Sequence, residues 1–159
     1  MKNLFKKKIL ILSLLLLALC GFMYEQNLSN KKEYIIKDDP QIFSRIDNRK
    51  PGIYFFYFPE CPWCEEILPI LKDESDLKKK NVWMSNIHDK EFTSNDKDSL
   101  LKLYRQTNNG NEIMVPFIIT INKSRHMTAQ IGLISPNIKS NRKTLIRKEV
   151  VSTINRSDN

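Results

Sequence analysis

Glycine is scarce in this sequence, with four residues in 159, which excludes a collagen-like repeat and argues against a loop-rich chain. Histidine is scarcer: only His88 and His126 are present, and their spacing is not that of a zinc finger. No segment repeats, and nothing in the pattern asks for a cofactor. No basic helix with interleaved aromatics occurs, so the surplus of cations reads as a solvated surface and no nucleic-acid partner is expected. That surplus is 26 Lys and Arg against 18 Asp and Glu. Part of it is terminal: Lys2, Lys6, Lys7 and Lys8 precede the first apolar run, and without these four, 22 cations face 18 anions. An apolar share of 41% with 28% charged residues is ordinary for a globular domain. The length suits one domain, or one domain plus an anchor.

After the basic residues 1–8, positions 9–24 are apolar except for Ser13, Cys20 and Gly21. The run is longer than most signal-peptide cores and slightly short of a comfortable bilayer span. Basic residues on its N-terminal side place the N-terminus in the cytoplasm and the remainder outside. Three fates fit residues 1–24: cleavage as a secretory signal, retention as a membrane anchor, or lipidation at Cys20. Leu17-Ala18-Leu19-Cys20 resembles a bacterial lipobox, with Leu19 standing where that motif has a small residue; otherwise Cys20 is an inert cysteine buried in the anchor. Each fate puts the remainder outside the cytoplasm, anchored or secreted, where disulfides persist. Residues 25–32 are polar and read as a tether, and residues 33–159 as the domain.

The domain alternates between strand and helix patterns. Glu33-Tyr34-Ile35-Ile36 is a short strand candidate, and Asp38-Asp39-Pro40 marks a helix start, with Ile42, Phe43 and Ile46 on one face. Pro51-Gly52 breaks the chain before Ile53-Tyr54-Phe55-Phe56-Tyr57-Phe58, a continuous apolar run expected of a strand buried on both faces. Cys61-Pro62-Trp63-Cys64 follows, at the junction with a helix carrying Ile67, Leu68, Ile70 and Leu71. Pro69 should kink that helix, and the charged stretch 73–80 closes it. Residues 81–87 form another strand and residues 89–98 a polar loop. Leu100, Leu101, Leu103 and Tyr104 mark the next helix, ending near Asn109-Gly110. Residues 113–121 read as a strand, 122–125 as a turn, 126–131 as the return strand ended by Gly132, and 144–154 as a final amphipathic helix. Trp83 and Tyr104 read as core. The order is β-α-β-α-β-α-β-β-α. Cys61 and Cys64, with two residues between them at a strand-to-helix junction, are placed to exchange electrons as dithiol and disulfide.

This order, with a CxxC at the second strand-to-helix junction, resembles the thioredoxin fold over about residues 32–155. Pro69 lies eight residues after Cys61, where thioredoxins carry a helix-kinking proline. Val115-Pro116 occupies the place of the family's cis-proline, and Ile131-Gly132-Leu133-Ile134-Ser135 resembles the glycine segment lining its substrate groove. A short exported protein of this kind with a basic N-terminal anchor also resembles the bacteriocin transport accessory proteins of Gram-positive bacteria. The resemblance implies an α/β fold with a central mixed sheet flanked by helices, at the extracytoplasmic face of a bacterial membrane. It departs at Phe55, where thioredoxins proper place a buried Asp that assists proton transfer; Glu60 is then the nearest carboxylate in sequence. The spacer from Cys64 to Pro116 is about ten residues longer than in a minimal thioredoxin, with the excess expected in residues 89–98.

The resemblance implies a thiol–disulfide oxidoreductase. Cys61 would attack a substrate disulfide as thiolate and Cys64 resolve the mixed disulfide. Pro62 would stiffen the turn, and Trp63 would add an apolar face beside the sulfur. Val115, Pro116 and Gly132 would line a groove pairing with the main chain of an extended substrate. A helix N-terminus favours the thiolate, whereas Glu60, Glu65 and Glu66 oppose it. The expected partners are polypeptides bearing disulfides or dithiols and a redox partner at the membrane. Two other readings stand beside it: an accessory module whose groove holds a partner with little turnover, and a zinc site using Cys61, Cys64, His88 and His126. Either direction of electron flow, as oxidase or as reductase, fits these residues.

Overall fold

A computed structural model describes residues 6, 15–20, 34–108, 110–134 and 140–158. The chain divides into two compact units, Met1–Glu33 and Tyr34–Asn159. In the first, residues 15–20 are helical with their leucines exposed, and Cys20 is exposed and in no disulfide. No helix among the described residues is long and apolar enough to cross a membrane. Most of segment 1–24 and all of the tether 25–32 lie outside the described residues.

The second unit is an α/β domain. Its elements are β1 (Ile35–Ile36), α1 (Ile42–Asp47), β2 (Gly52–Tyr57), α2 (Pro62–Lys78), β3 (Val82–Asn86), α3 (Ser94–Asn108), β4 (Phe117–Ile121), β5 (Met127–Ile131) and α4 (Arg142–Arg156). They form one five-stranded mixed sheet in the order β1-β3-β2-β4-β5. β1 and β2 each pair with β3 in parallel, while β4 runs antiparallel to both β2 and β5.

Strand β2 explains the two-sided sheet. Side chains alternate along a strand, so its continuous apolar run loads both faces. Ile53, Phe55 and Tyr57 join Val82, Met84 and Ile118 under α2 and α4, which contribute Ile67, Ile70, Leu71, Ile146, Val150 and Ile154. Tyr54 and Phe56 face the other way, with Trp83, Phe117 and Ile119, against Ile42 and Ile46 of α1 and Leu100 and Tyr104 of α3. Trp83 and Tyr104 are core residues, as their patterns suggest.

Several boundaries differ from those read in the sequence. The first helix starts at Ile42, so Pro40 sits in the turn before it; Asp39 accepts from the Gln41 N–H and from Arg45 at 2.6 Å. Helix α2 runs to Lys78, because Glu74 turns inward to pair with Arg147 of α4 and Ser75 is wholly buried. It continues through Pro69, which faces solvent, and ends where Lys79 turns left-handed. Residues 94–98 are helical instead of loop. Thr93 and Asp96 form a reciprocal cap, Thr93 Oγ1 accepting from the Asp96 N–H at 3.2 Å and Asp96 Oδ2 from the Thr93 N–H at 2.8 Å. β4 begins only at Phe117, since Pro116 has no N–H to give the ladder. α4 begins at Arg142, two residues before the apolar pattern. Asn109 lies outside the described residues.

Gly52 opens β2 with φ 152°, and a Cβ there would stand 2.1 Å from Trp83 Cζ3. The indole stacks on Tyr54 at 5.1 Å between ring centres, so it cannot withdraw without opening that face of the core. Gly52→Ala is expected to cost about 2–3 kcal/mol, in the range of core overpacking. Gly132, with φ 59° but open space, is expected to cost about 1–2 kcal/mol when made Ala, from backbone strain alone. Urea unfolding of the two variants checks both the magnitude and the order.

Candidate active site

The end of β2 delivers the cysteine pair. After Tyr57 the chain leaves the sheet, and the Cys61 N–H bonds to the Phe58 carbonyl at 3.2 Å. Cys61 is the N-cap of α2, in extended conformation with φ −79° and ψ 107°, and Pro62 occupies the first turn, where its missing N–H costs nothing. One turn on, Cys64 faces the core. The two are joined in a disulfide with Cα atoms 5.2 Å apart. Cys61 is 2% exposed and Cys64 fully buried, so both lie within the packed end of α2.

Cys61 Sγ accepts from the Cys64 N–H at 3.2 Å, and the Cys61 carbonyl takes the N–H groups of Cys64 and Glu65, each at 3.0 Å. This is an N-cap with sulfur in place of the usual oxygen. In the reduced state the same N–H and the positive end of a 17-residue helix would stabilise a Cys61 thiolate.

Val115-Pro116 faces the pair across the fold. The Val115–Pro116 bond is cis, Pro116 is buried, and the Val115 carbonyl oxygen lies 3.9 Å from Cys61 Sγ. The Pro116 carbonyl accepts from the Gly132 N–H at 2.7 Å, extending the β4–β5 ladder to the Gly132 turn. Trp63, Val115, Pro116 and Gly132 thus border one groove of about 450 Å³, completed by Ile67, Met114, Leu133, Ile134, Arg142 and Ile146. The lining is apolar except for Arg142. Ser135 lies outside the described residues.

Arg142 is the functional neighbour that sequence patterns do not reveal. Its guanidinium sits 4.7 Å over the Trp63 ring, and its Nε donates to both carboxylate oxygens of Glu66 at 2.7 Å. A cation in the first turn of α4 is poorly placed against the helix dipole, and Glu66 offsets it. The contact spans 76 residues, so no local pattern announces it. It also revises the charge balance at the cysteines: Glu66 is neutralised, and Glu60 and Glu65 remain as exposed carboxylates.

Phe55 is fully buried in the cluster that holds Cys61 and Cys64. Among the described residues, the buried carboxylates are Asp39 and Glu74, each engaged by an arginine, on α1's approach and far along α2. Among the described residues, neither of these buried acids is paired with Cys61 or Cys64. Tyr57, at the end of β2, has its phenol pushed above the usual range by burial, then by Asp38 and Asp89. His88 is exposed and stacks on Phe58 at 4.3 Å, and His126 is exposed beside the hairpin turn at the other end of β4. Among the described residues, no three His, Cys, Asp or Glu side chains are grouped to hold a metal ion.

No protein-family model matches the chain.

Arg142→Ala removes the cation over Trp63 and leaves Glu66 unpaired. Both partners are partly exposed, so the expected loss of stability is only about 1 kcal/mol. The fluorescence of Trp63, obtained by difference from a Trp63→Phe variant, should move to longer wavelength as the ring loosens. Unchanged emission would mean that the groove alone holds the ring.

Proposed function

We propose that this protein is a thioredoxin-like thiol–disulfide oxidoreductase acting on exported polypeptides at the extracytoplasmic face of a bacterial membrane, similar to the bacteriocin transport accessory group. The observation that carries the proposal is the Cys61–Cys64 disulfide at the N-terminus of α2, with the Val115 carbonyl 3.9 Å from Cys61 Sγ. The alternating α/β order, the cis Val115–Pro116 bond and the apolar groove support it. The basic and apolar segment 1–24 supports the location and a redox partner at the membrane.

In the reducing direction, the Cys61 thiolate attacks one sulfur of a substrate disulfide. A Cys61–substrate disulfide forms, and the other substrate sulfur leaves as thiolate and takes a proton. Cys64, deprotonated, then attacks Cys61 Sγ, forms the intramolecular disulfide and releases the second substrate thiolate. Two electrons pass from the protein to the substrate. The oxidising direction is the same sequence reversed, so one geometry serves both. Val115, with its main chain beside the sulfur, is the group that would pair with an extended substrate strand.

Phe55 favours a second reading, an accessory module that holds a partner in the groove with little turnover. Without a buried acid beside Cys64, the resolving step has no built-in proton acceptor.

Cys61→Ser is expected to abolish disulfide exchange with a reduced or oxidised model protein, and Cys64→Ser to accumulate a mixed disulfide through Cys61, read by non-reducing gels and peptide mass. A wild type with no thiol-dependent activity, alongside a double Ser variant that still binds its partner, would establish the accessory module instead. The reduction potential of the couple separates the directions: about −270 mV marks a reductase and about −120 mV an oxidase.

A further inference from the structure

The two ends of the sheet carry opposite charge. The Val82 N–H bonds to the Tyr34 carbonyl, Ile53 N–H to Asn81, and Gly52 lies opposite Ile121. These positions gather four features at the end remote from the cysteines: the entry of the chain at Tyr34, the loop 48–51, the end of α2, and the hairpin turn 122–125. Asp158 accepts from Lys80 and lies 3.8 Å from Lys123, which adds the end of α4. Arg49, Lys50, Lys79, Lys123 and Arg125 are all exposed there, against one exposed carboxylate beside the loop, Asp47. Among the described residues only Lys123 of these five is in an ion pair, and Lys80 already engages its partner Asp158. At the cysteine end, Asp38, Glu60, Glu65, Asp89 and Glu91 outnumber Lys37, Lys90 and Lys143, and Arg142 is held by Glu66.

We propose that the basic end is a docking surface for an anionic lipid bilayer, which holds the Cys61–Cys64 end away from the lipid. The proposal rests on the reading of residues 1–24 as membrane-attached. The chain re-enters the described domain at Tyr34, ten residues after the apolar run ends at Tyr24, a stretch that reaches at most about 35 Å. It enters at the basic end. β2 has six residues, so the cysteines stand roughly 20 Å from that end, more than two Debye lengths at physiological salt. Docked this way, the carboxylates at the cysteine end escape repulsion; turned over, they would face it. Each Lys or Arg near an anionic surface strengthens attachment about fivefold, so a few of the five suffice to orient the domain. A nucleic acid fits less well. No Phe, Tyr or Trp is exposed at this end among the described residues, and Trp63, which is exposed, lies at the other.

The test uses the full chain with vesicles of phosphatidylcholine alone or with added phosphatidylglycerol. A water-soluble amine-acylating reagent reports lysine exposure by mass spectrometry. Labelling of Lys50, Lys79 and Lys123 is expected to fall about threefold or more on anionic vesicles, with Lys90 and Lys143 unchanged, and to recover in high salt. Arg49→Glu with Arg125→Glu leaves the lysine probes in place and should abolish the protection. A chain that floats with both vesicles but shows equal labelling overturns the proposal and leaves the membrane-attached reading standing. If the chain fails to float with neutral vesicles, that reading fails. The basic surface is then upheld by flotation and protection on anionic vesicles alone, and overturned by their absence. Protection of the same lysines by a DNA or RNA oligonucleotide but not by anionic vesicles overturns it in favour of nucleic acid.

Discussion

The burial of β2 on both faces is the constraint on which the rest of this domain depends. Five of its six residues are buried, and each face is closed by a different pair of helices. A strand held this way cannot slide, because a shift of one residue would exchange the two faces and misplace every ring. Its neighbours fix it laterally: β3 in parallel and β4 antiparallel, each through five paired positions. The last residue of β2 therefore leaves the sheet at a defined point. Four residues later Cys61 caps α2, and the same sheet, through β4, brings Val115-Pro116 to the sulfur. The site is formed where two strands adjacent in the sheet begin and end.

Those features were legible because they are local. The continuous apolar run 53–58, the CxxC after it, the proline before the run 117–121 and the turn at 122–125 each announce themselves within a few residues. Where reading failed, the signal was either polar or distant. Residues 94–98 carry no apolar period, yet the Thr93–Asp96 cap starts a helix there by hydrogen bonding alone. The charged stretch 73–80 does close its helix, at Lys78, but nothing in it announced that Glu74 is drawn inward by Arg147. Arg142 was invisible because its meaning comes from Glu66 and Trp63, brought to it by the packing of α4 on α2. The fold depended on periodicity and could be read. The fine electrostatics of the site depended on long-range pairing and could not.

Charge at the cysteines is a balance between backbone and side chains. The cap N–H and helix end act at contact distance from Cys61 Sγ, in a setting that is nearly dry. Glu60 and Glu65 are exposed, so water and salt screen them. Glu66 is compensated by Arg142. In the reduced state the contact hydrogen bond and the helix end would favour a Cys61 thiolate, and the burial of Cys61 would oppose it. Arg142 is engaged twice, by pairing with Glu66 and by lying over the Trp63 ring at the edge of the groove.

Cys64 faces the opposite situation, and this connects the two functional readings. It is fully buried, in the same apolar cluster as Phe55, and the buried carboxylates among the described residues, Asp39 and Glu74, are each engaged by an arginine elsewhere. On the proposed chemistry its proton must leave through the opening near Cys61, by water or by Glu60. A polypeptide lying along the groove over Val115 and Trp63 would cover that opening. Binding would then slow the resolving step while leaving the first attack, driven by the capped Cys61, unaffected. The mixed disulfide would persist for as long as the partner stays seated. On the proposed chemistry, the difference between an oxidoreductase and an accessory module would then be one of how fast a single buried proton escapes.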